Sequence, residues 1–300
     1  MNKSIHEILK KHWGYDSFRP LQEDIIASVL SGNDTLGMLP TGGGKSITFQ
    51  VPAIALGGLC IVVTPLISLM KDQIDHLVDK GIKAASVFMG MTHQEVLETY
   101  ERVILHNYQF LYLSPERLET QLFKAKLQYM DVRLLVVDEA HCISQWGYDF
   151  RPPYLRIAEI RQMLKPDVPC LALTATATNA VVKDIQDKLG FRKGAKVFKA
   201  SFERPNLTYN VAKIEDKLGQ MLELLSYLKD GAAIVYVRSR KKTKEVADTL
   251  IREGLSAHFY HAGLNAKDKQ ERQDEWMSGK VPIIVATKAF GMGIDKPNVI

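Results

Sequence analysis

The sequence predicts an α/β protein made of two parallel-sheet domains in tandem, the second incomplete at its C-terminus. Three observations predict it. Short, β-branched apolar runs alternate with longer helical patterns. The alternation pauses at a stretch holding a proline and two asparagines, then restarts. Finally, a chain of 300 residues suits two domains of ordinary size.

In the first half, Leu59–Val63 (LCIVV), Phe110–Leu113 (FLYL), Leu134–Val137 (LLVV) and Cys170–Leu173 (CLAL) are apolar enough to be strands buried on both faces. Leu66–Lys80 and Asn179–Leu189 carry the intervening helical pattern, and strand–helix alternation of this kind favours a parallel sheet covered on both sides. The most apolar stretch, Val51–Val63, is interrupted by Pro52, Gly57 and Gly58. It is too short to cross a bilayer and reads as a buried helix followed by a buried strand. Ser201–Asn210 (SFERPNLTYN) is the expected linker, placing one domain at 1–205 and the next at 206–300. There the pattern resumes with strands Ala233–Val237, Ala257–Tyr260 and Pro282–Ala286, separated by helices Thr243–Gly254 and Lys267–Gly279. The closing PNVI reads as a turn entering a core strand. Such a strand needs backbone partners, so the second domain is expected to be partial.

Composition narrows the classes. The net charge of +5, from 39 Lys+Arg against 34 Asp+Glu, is only mildly basic and does not by itself identify a phosphate-rich partner. Cys60, Cys142 and Cys170 form no CxxC pair, which argues against a disulfide scaffold or a cysteine zinc site and suits a reducing compartment. The charged N-terminus lacks the apolar run of a secretory signal. A cytoplasmic protein without membrane attachment is expected, associated with the nucleoid if bacterial.

The sharpest local chemistry lies at Pro40–Ser46, PTGGGKS. Thr41, Gly42, Gly43 and Gly44 form a loop whose backbone N–H groups can converge on phosphate oxygens, and the helix that follows turns its N-terminus to the anion. Lys45 can reach the β and γ phosphates of ATP, and the Ser46 hydroxyl can ligate Mg²⁺. Leu39 stands where the strict Walker A pattern has its first glycine. The acidic partner comes at the end of Leu134–Val137, in Asp138-Glu139-Ala140-His141. Carboxylates at the C-terminal end of a buried strand can meet a phosphate loop across one sheet edge. Asp138 would hold Mg²⁺, Glu139 would orient or deprotonate the attacking water, and His141 would couple the site to its surroundings. The small hydroxyl-bearing run Leu173–Thr178 (LTATAT) suits a loop that relays position; an ordinary strand end with a helix cap fits it as well.

With these residues in place, the sequence resembles the RecQ DNA helicases of helicase superfamily 2 over essentially its whole length. The carrying motifs are GYDSFRPLQ (14–22), MLPTGGGKS (38–46), VVTPLISLMKDQ (62–73), YLSPERL (112–118), DEAHCISQWGYDFRP (138–152), ALTATAT (172–178), IVYVRSR (234–240), HAGL (261–264) and VATKAFGMGIDKPNV (285–299). DEAH is common to many motors, whereas its continuation as CISQWG…FRP is much narrower. The resemblance implies tandem RecA-like motor domains. It implies that Tyr15 and Arg19 sandwich adenine while Gln22 reads its edge, a set whose aromatic face, guanidinium plane and amide suit a base. It further implies that Gln145–Arg151 is the family's aromatic-rich loop, with Trp146, Tyr148 and Phe150 as stacking surfaces and Arg151 for a phosphate or base. On residue type alone, Trp146 and Phe150 could equally anchor the loop in a core.

Thr64 and Ser68, with Ser114 and Arg117, resemble backbone-tracking motifs, although simple turn chemistry also accounts for their Pro-flanked segments. In the second domain, Arg238, Arg240, Lys241, Lys242 and Lys244 crowd a helix start, where their charge opposes the helix dipole. A nucleic-acid backbone would give them a partner; a solvated basic face is the plainer alternative. His261 and Thr287 resemble further DNA-tracking positions, and Gly291, Gly293 and Asp295 a motif beside nucleotide and DNA.

The family's later arginine-rich motif, which reaches the γ phosphate, has no match within 1–300. The stretch is therefore expected to bind ATP–Mg²⁺ and DNA while hydrolysing ATP poorly. The intact protein is expected to be a monomeric 3′→5′ helicase acting on single-stranded and forked DNA, the direction coming from the resemblance alone. Two other readings stay open: a double-stranded nucleic-acid translocase that remodels complexes, and an ATP-gated nucleic-acid binding module.

Overall fold

The computed structural model describes residues 4–299 apart from 41, 148, 202–206, 229–230, 292–293, 295 and 297. The chain forms two compact units, Met1–Glu203 and Arg204–Ile300. The middle of the expected linker, 202–206, lies outside the described residues.

The first unit is built on seven strands: β1 (Thr35–Met38), β2 (Leu59–Val63), β3 (Ala84–Val87), β4 (Phe110–Leu113), β5 (Val132–Val137), β6 (Cys170–Thr174) and β7 (Lys196–Lys199). They lie in the order β3-β4-β2-β5-β6-β1-β7, and every neighbouring pair is parallel. Side chains alternate across the sheet, so consecutive residues feed two different cores. Ile61, Val63, Leu111, Leu113, Leu135 and Val137 point into one. Cys60, Val62, Phe110, Tyr112, Leu134 and Val136 point into the other. Helices cover both faces, which is why these runs are apolar throughout.

Strands β2 and β4 coincide with the runs expected for them, and β5 and β6 extend theirs by two residues and one. The apolar stretch after the phosphate loop is helix Ile47–Leu56 leading into β2, as its composition predicts. Strands β1, β3 and β7 have no counterpart among the expected elements. TLGM contains a glycine and AASV is small-residued, while KVFK is a largely exposed edge strand, so each lacks the long β-branched signal.

The edge of the sheet at the amino ends of β1 and β6 is pinned by Asp34, which is buried. Its carboxylate accepts from Arg161, from Arg192 Nε at 3.1 Å and Nη2 at 3.0 Å, and from the backbone N–H groups of Arg192 at 2.7 Å and Cys170 at 3.0 Å. Burial works against its charge, but these donors hold its pKa below the usual carboxylate range.

In the second unit, β8 (Ala233–Tyr236), β9 (Ala257–Tyr260) and β10 (Ile283–Ala286) form a parallel sheet in the order β8-β10-β9. Ala233, Ile283 and Val285 pack into one core, with Val246 and Leu250 of helix Arg240–Arg252. Ile284, Ala286 and Tyr260 pack into the other, around Trp276 and Phe290. Val299, in the expected incoming strand, makes a parallel bridge to Ala232 beside β8. Among the described residues no helix is long and apolar enough to cross a membrane.

Candidate active site

Parallel strands bring all their carboxyl ends to one edge, and the expected site residues of the first unit follow those ends. The phosphate loop leaves β1, Thr64 follows β2, Ser114 follows β4, Asp138 follows β5, and Thr174 closes β6. Because β6 lies between β1 and β5, the loop and the acids face each other across the end of β6.

In the phosphate loop Gly42 and Gly44 have φ of +76° and +74°, a left-handed conformation that side chains disfavour. Gly44 also has Gln22 Nε2 directly against it, in the space a Cβ would fill. Thr41 lies outside the described residues. Lys45 and Ser46 are half-buried ahead of helix Ile47–Leu56. The residues expected to read adenine contact this same loop. Arg19 Nη1 donates to the Gly42 carbonyl at 2.6 Å, and Gln22 Nε2 donates to the Gly43 and Gly44 carbonyls at 3.3 and 3.1 Å. Gln22 Oε1 accepts from the Arg19 backbone N–H at 2.9 Å. Gln22 is buried, whereas Tyr15 remains exposed.

Asp138 is buried and accepts from the Glu139 N–H at 3.0 Å and from the Thr64 hydroxyl at 3.3 Å. Burial and then the Glu139 charge raise its pKa to about 6, against the pull of Lys45 and the two hydrogen bonds. Burial also raises Glu139, with Lys45 opposing and Asp149 adding. The Lys45 charge is thus felt by both carboxylates. Glu139 has φ +47°, which costs a non-glycine residue about 1–2 kcal/mol. The 3₁₀ turn that follows holds it there, the Cys142 N–H donating to the Glu139 carbonyl at 2.9 Å. From below, the Tyr154 hydroxyl donates to the Asp138 carbonyl at 2.9 Å.

His141 is buried, and burial lowers its pKa, so it is neutral near pH 7. Its Nδ1 lies 3.0 Å from Thr174 Oγ1 and 3.3 Å from Glu139 Oε2. The Thr174 hydroxyl donates to the Thr176 carbonyl at 3.1 Å. Its proton is thereby used, which makes His141 Nδ1 the donor to Thr174. The Leu39 N–H, just before the phosphate loop, donates to the Thr174 carbonyl at 3.1 Å. Thr174 therefore touches both halves of the site.

Other expected residues divide clearly. Trp146 is 79% exposed, on the surface and not in the core. Tyr148 lies outside the described residues. Phe150 is half-buried, and Arg151 pairs with Asp149 at 3.0 Å while reaching the Pro65 carbonyl at 3.4 Å. The side chain of Ser68 lies outside the described set. Thr64 and Ser114 are buried, and the Thr64 hydroxyl faces Asp138. Arg117 is turned inward: Nε and Nη2 donate to the Phe88 carbonyl at 3.0 and 2.8 Å, and Nη2 to Met91 at 3.1 Å.

In the second unit, Arg238 and Arg240 follow β8, His261 follows β9 and Thr287 follows β10, again on one carboxyl edge. The Arg240 guanidinium lies against Gly263, and the His261 ring stacks on Phe259 at 5.8 Å. The Thr287 N–H donates to the Tyr260 carbonyl at 3.2 Å. Gly291 abuts the Tyr236 hydroxyl, which donates to the Phe290 carbonyl at 3.0 Å. Gly293 and Asp295 lie outside the described residues. Lys241 and Lys242 of the basic cluster approach Glu245, at 3.8 and 3.5 Å.

The geometry missed by reading residues singly is the cross-strand wiring: Thr64 to Asp138, Tyr154 to the Asp138 backbone, Thr174 to His141. The hydroxyl-rich run at 174–178 was the one signal for it.

Comparisons with known proteins agree with this arrangement. The DEAD/DEAH box helicase family matches residues 19–185, and the helicase conserved C-terminal domain matches 216–300. The chain is 39% identical over 292 residues to the ATP-dependent DNA helicase RecQ of Haemophilus influenzae, covering 97% of this chain and 47% of that one. It is 40% identical to the probable ATP-dependent DNA helicase RecS of Bacillus subtilis, covering 98% of this chain and 60% of the relative. It is also 40% identical to the RecQ-like DNA helicase blm-1 of Caenorhabditis elegans, covering all of this chain and 31% of the relative. The chain thus spans about half the length of the bacterial relatives it matches. Among solved structures, Mycobacterium smegmatis helicase Lhr, bound to ssDNA and AMP-PNP, shares the fold with a TM-score of 0.74 at 18% identity, over 99% of this chain and 43% of that one. Saccharomyces cerevisiae Dbp5, bound to RNA and ADP BeF3, shares it with a TM-score of 0.70 at 18% identity, over 98% and 76%. With the glycine-rich loop, the paired acids and Thr174 at the carboxyl ends of β1, β5 and β6, the chain belongs to the DEAD/DEAH box helicases and carries a RecQ-family motor portion.

Proposed function

We propose that the protein couples ATP hydrolysis to 3′→5′ movement along single-stranded DNA and to separation of forked duplexes, acting as a monomer. One observation carries the nucleotide half: across the end of β6, the glycine-rich loop with Lys45 faces the buried Asp138 and the half-buried Glu139. A buried and a half-buried carboxylate beside a glycine-rich loop and a lysine suit a magnesium nucleotide. The donor set fits the metal, since Mg²⁺ takes a few hard oxygen ligands and keeps phosphate and water for the rest. Ser46 and Asp138 would hold it, and when bound it would neutralise charge on the β and γ phosphates.

The protein's own groups then have separate tasks. Lys45 and the loop N–H groups bind and orient the phosphates. Glu139, fixed by its left-handed backbone and by the turn that follows it, orients the attacking water and accepts its proton. Arg19 and Gln22, already bonded to loop carbonyls, link recognition of the base to the shape of the phosphate loop. The exposed Trp146 ring offers a stacking surface for a base, worth about 1–3 kcal/mol. Its segment begins directly after the turn that carries His141.

The RecQ relatives and the aromatic segment support DNA as the track, and the resemblance supports the direction. The test is ATP turnover with and without single-stranded DNA, together with strand separation on a forked duplex with a 3′ tail. DNA-stimulated turnover abolished by Glu139→Gln, with ATP binding retained, is the expected result. Turnover that ignores DNA, or that survives Glu139→Gln, would refute the proposal, and turnover without strand separation would favour a translocase.

A further inference from the structure

Helix Asn179–Lys188 does more than cover the sheet. Its last turns reach the aromatic segment at both ends. Lys188 Nζ pairs with Asp184 Oδ2 at 2.9 Å, donates to the Ile143 carbonyl at 3.2 Å, and stands 5.9 Å from the centroid of the Phe150 ring. Around Asp184, burial works against the charge, but the neighbouring Ser144 hydroxyl and Lys188 keep its pKa below the usual range. Ser144 is buried, and its Oγ accepts from the Trp146 N–H at 3.2 Å. The pair thus meets the segment at its base, through the Ile143 carbonyl, and at its far end, through the Phe150 ring.

Two features make this grip consequential. Asp184 and Lys188 side chains are only 19% and 28% exposed, so their contacts are screened less than those of a surface pair. Gly147 packs against the turn carrying His141, where a Cβ would stand 2.6 Å from the His141 carbonyl oxygen. Gly147 therefore lies directly against the backbone of His141. The chain that supplies Lys188 also supplies Thr174, bonded to the same histidine at 3.0 Å. One continuous stretch, 174–188, holds both the catalytic turn and the aromatic segment.

We propose that Asp184 and Lys188 form a clasp that sets the resting position of the aromatic segment, and that they are positioning residues for coupling DNA occupancy to ATP hydrolysis. The coupling rests on the function proposed above; the clasp itself does not. On release, the segment would lose the Lys188 contacts to Ile143 and Phe150 together, while Trp146 became free to follow a stacked base.

Hydrogen exchange over 142–151, measured without DNA or nucleotide, reads the clasp directly. Lys188→Met keeps the side chain's length and removes its charge. The Trp146 amide is expected to exchange about tenfold faster, the scale of one lost charge-assisted hydrogen bond, and Lys188→Arg is expected to restore protection. Asp184→Asn serves as the second variant should Lys188→Met not fold. In ATP turnover, Lys188→Met is expected to leave KM for ATP unchanged and to lower the DNA-stimulated kcat several-fold. Unchanged exchange in the folded variants overturns the clasp. Faster exchange with full DNA stimulation overturns its part in coupling. If the unsubstituted protein hydrolyses ATP without responding to DNA, the proposed function falls, and exchange still decides the clasp.

Discussion

Asp138→Asn should make the ligand-free protein more stable while abolishing its ATP turnover. The reason is the sign of the pKa shift. Burial raises the Asp138 carboxyl from 3.8 to about 6, so the folded state holds its proton more tightly than the unfolded chain does. Stability is therefore lost as pH rises from 3.8 through about 6, and above that the whole penalty applies. The difference corresponds to about 3 kcal/mol at about pH 8. Asparagine removes the charge and keeps both contacts, since its carbonyl can accept from Glu139 N–H and its amide can donate to Thr64 Oγ1. A gain of about 1–3 kcal/mol is expected, or roughly 2–4 °C in melting temperature per kcal/mol for a unit of this size. Thermal melts followed from about pH 4 to 8 are the assay. The gain should be largest at the alkaline end and vanish at the acid end. Mg²⁺–ATP should raise the melting temperature of the unsubstituted protein and leave the variant nearly unmoved. A variant that melts lower than the unsubstituted protein at about pH 8, or a gain independent of pH, would refute the reasoning.

Asp34→Asn should cost about 3–5 kcal/mol in urea unfolding, because it leaves Arg161 and Arg192 facing a lost charge. Asp34 has a depressed pKa, so its contribution is present above 3.8 and should fade as pH falls, the reverse of Asp138. A loss under about 1 kcal/mol would contradict its part in pinning the sheet edge. Arg117→Ala should destabilise by about 2 kcal/mol through the uncapped Phe88 and Met91 carbonyls and leave the salt dependence of DNA binding unchanged. A salt slope reduced by about one would instead make Arg117 a phosphate contact. Trp146→Ala should leave stability within about 0.5 kcal/mol, since the ring is exposed. It should weaken single-stranded DNA binding by about 1–3 kcal/mol, and undiminished affinity in a fluorescence anisotropy titration would remove it from the track.

What the sequence disclosed follows the range of the underlying physics. PTGGGKS and DEAH were legible because their chemistry is local: a glycine turn before a helix, and carboxylates at the end of an apolar strand. The runs β2, β4 and β9 were legible residue for residue because both of their faces are buried or nearly so. Strand β1 was not, although it delivers the phosphate loop. Its four residues include a glycine, and it is a strand because β6 and β7 flank it. The direction of polar side chains was equally hidden. Thr64 and Arg117 have the hydroxyl and guanidinium that phosphates attract, yet the fold turns one to Asp138 and the other to backbone carbonyls. Residue type states what a group can bond; only the packed neighbours settle which bond it makes.

The weak bulk charge illustrates the same separation of scales. A net +5 over 300 residues carries little information about a polyanionic substrate. The phosphate recognition proposed above depends on one lysine, on N–H groups collected by a loop, and on two acids at the end of β5. All of these converge because the strands are parallel, which places five strand ends and their loops on one edge. An antiparallel sheet of the same strands would send alternate ends to opposite edges and part Thr174 from both the loop and the acids that flank it. Asp34 and its two arginines occupy the opposite edge, at the amino ends of β1 and β6. The buried charge that stabilises the sheet is thus kept at one end, and the buried charge proposed to meet a metal nucleotide at the other.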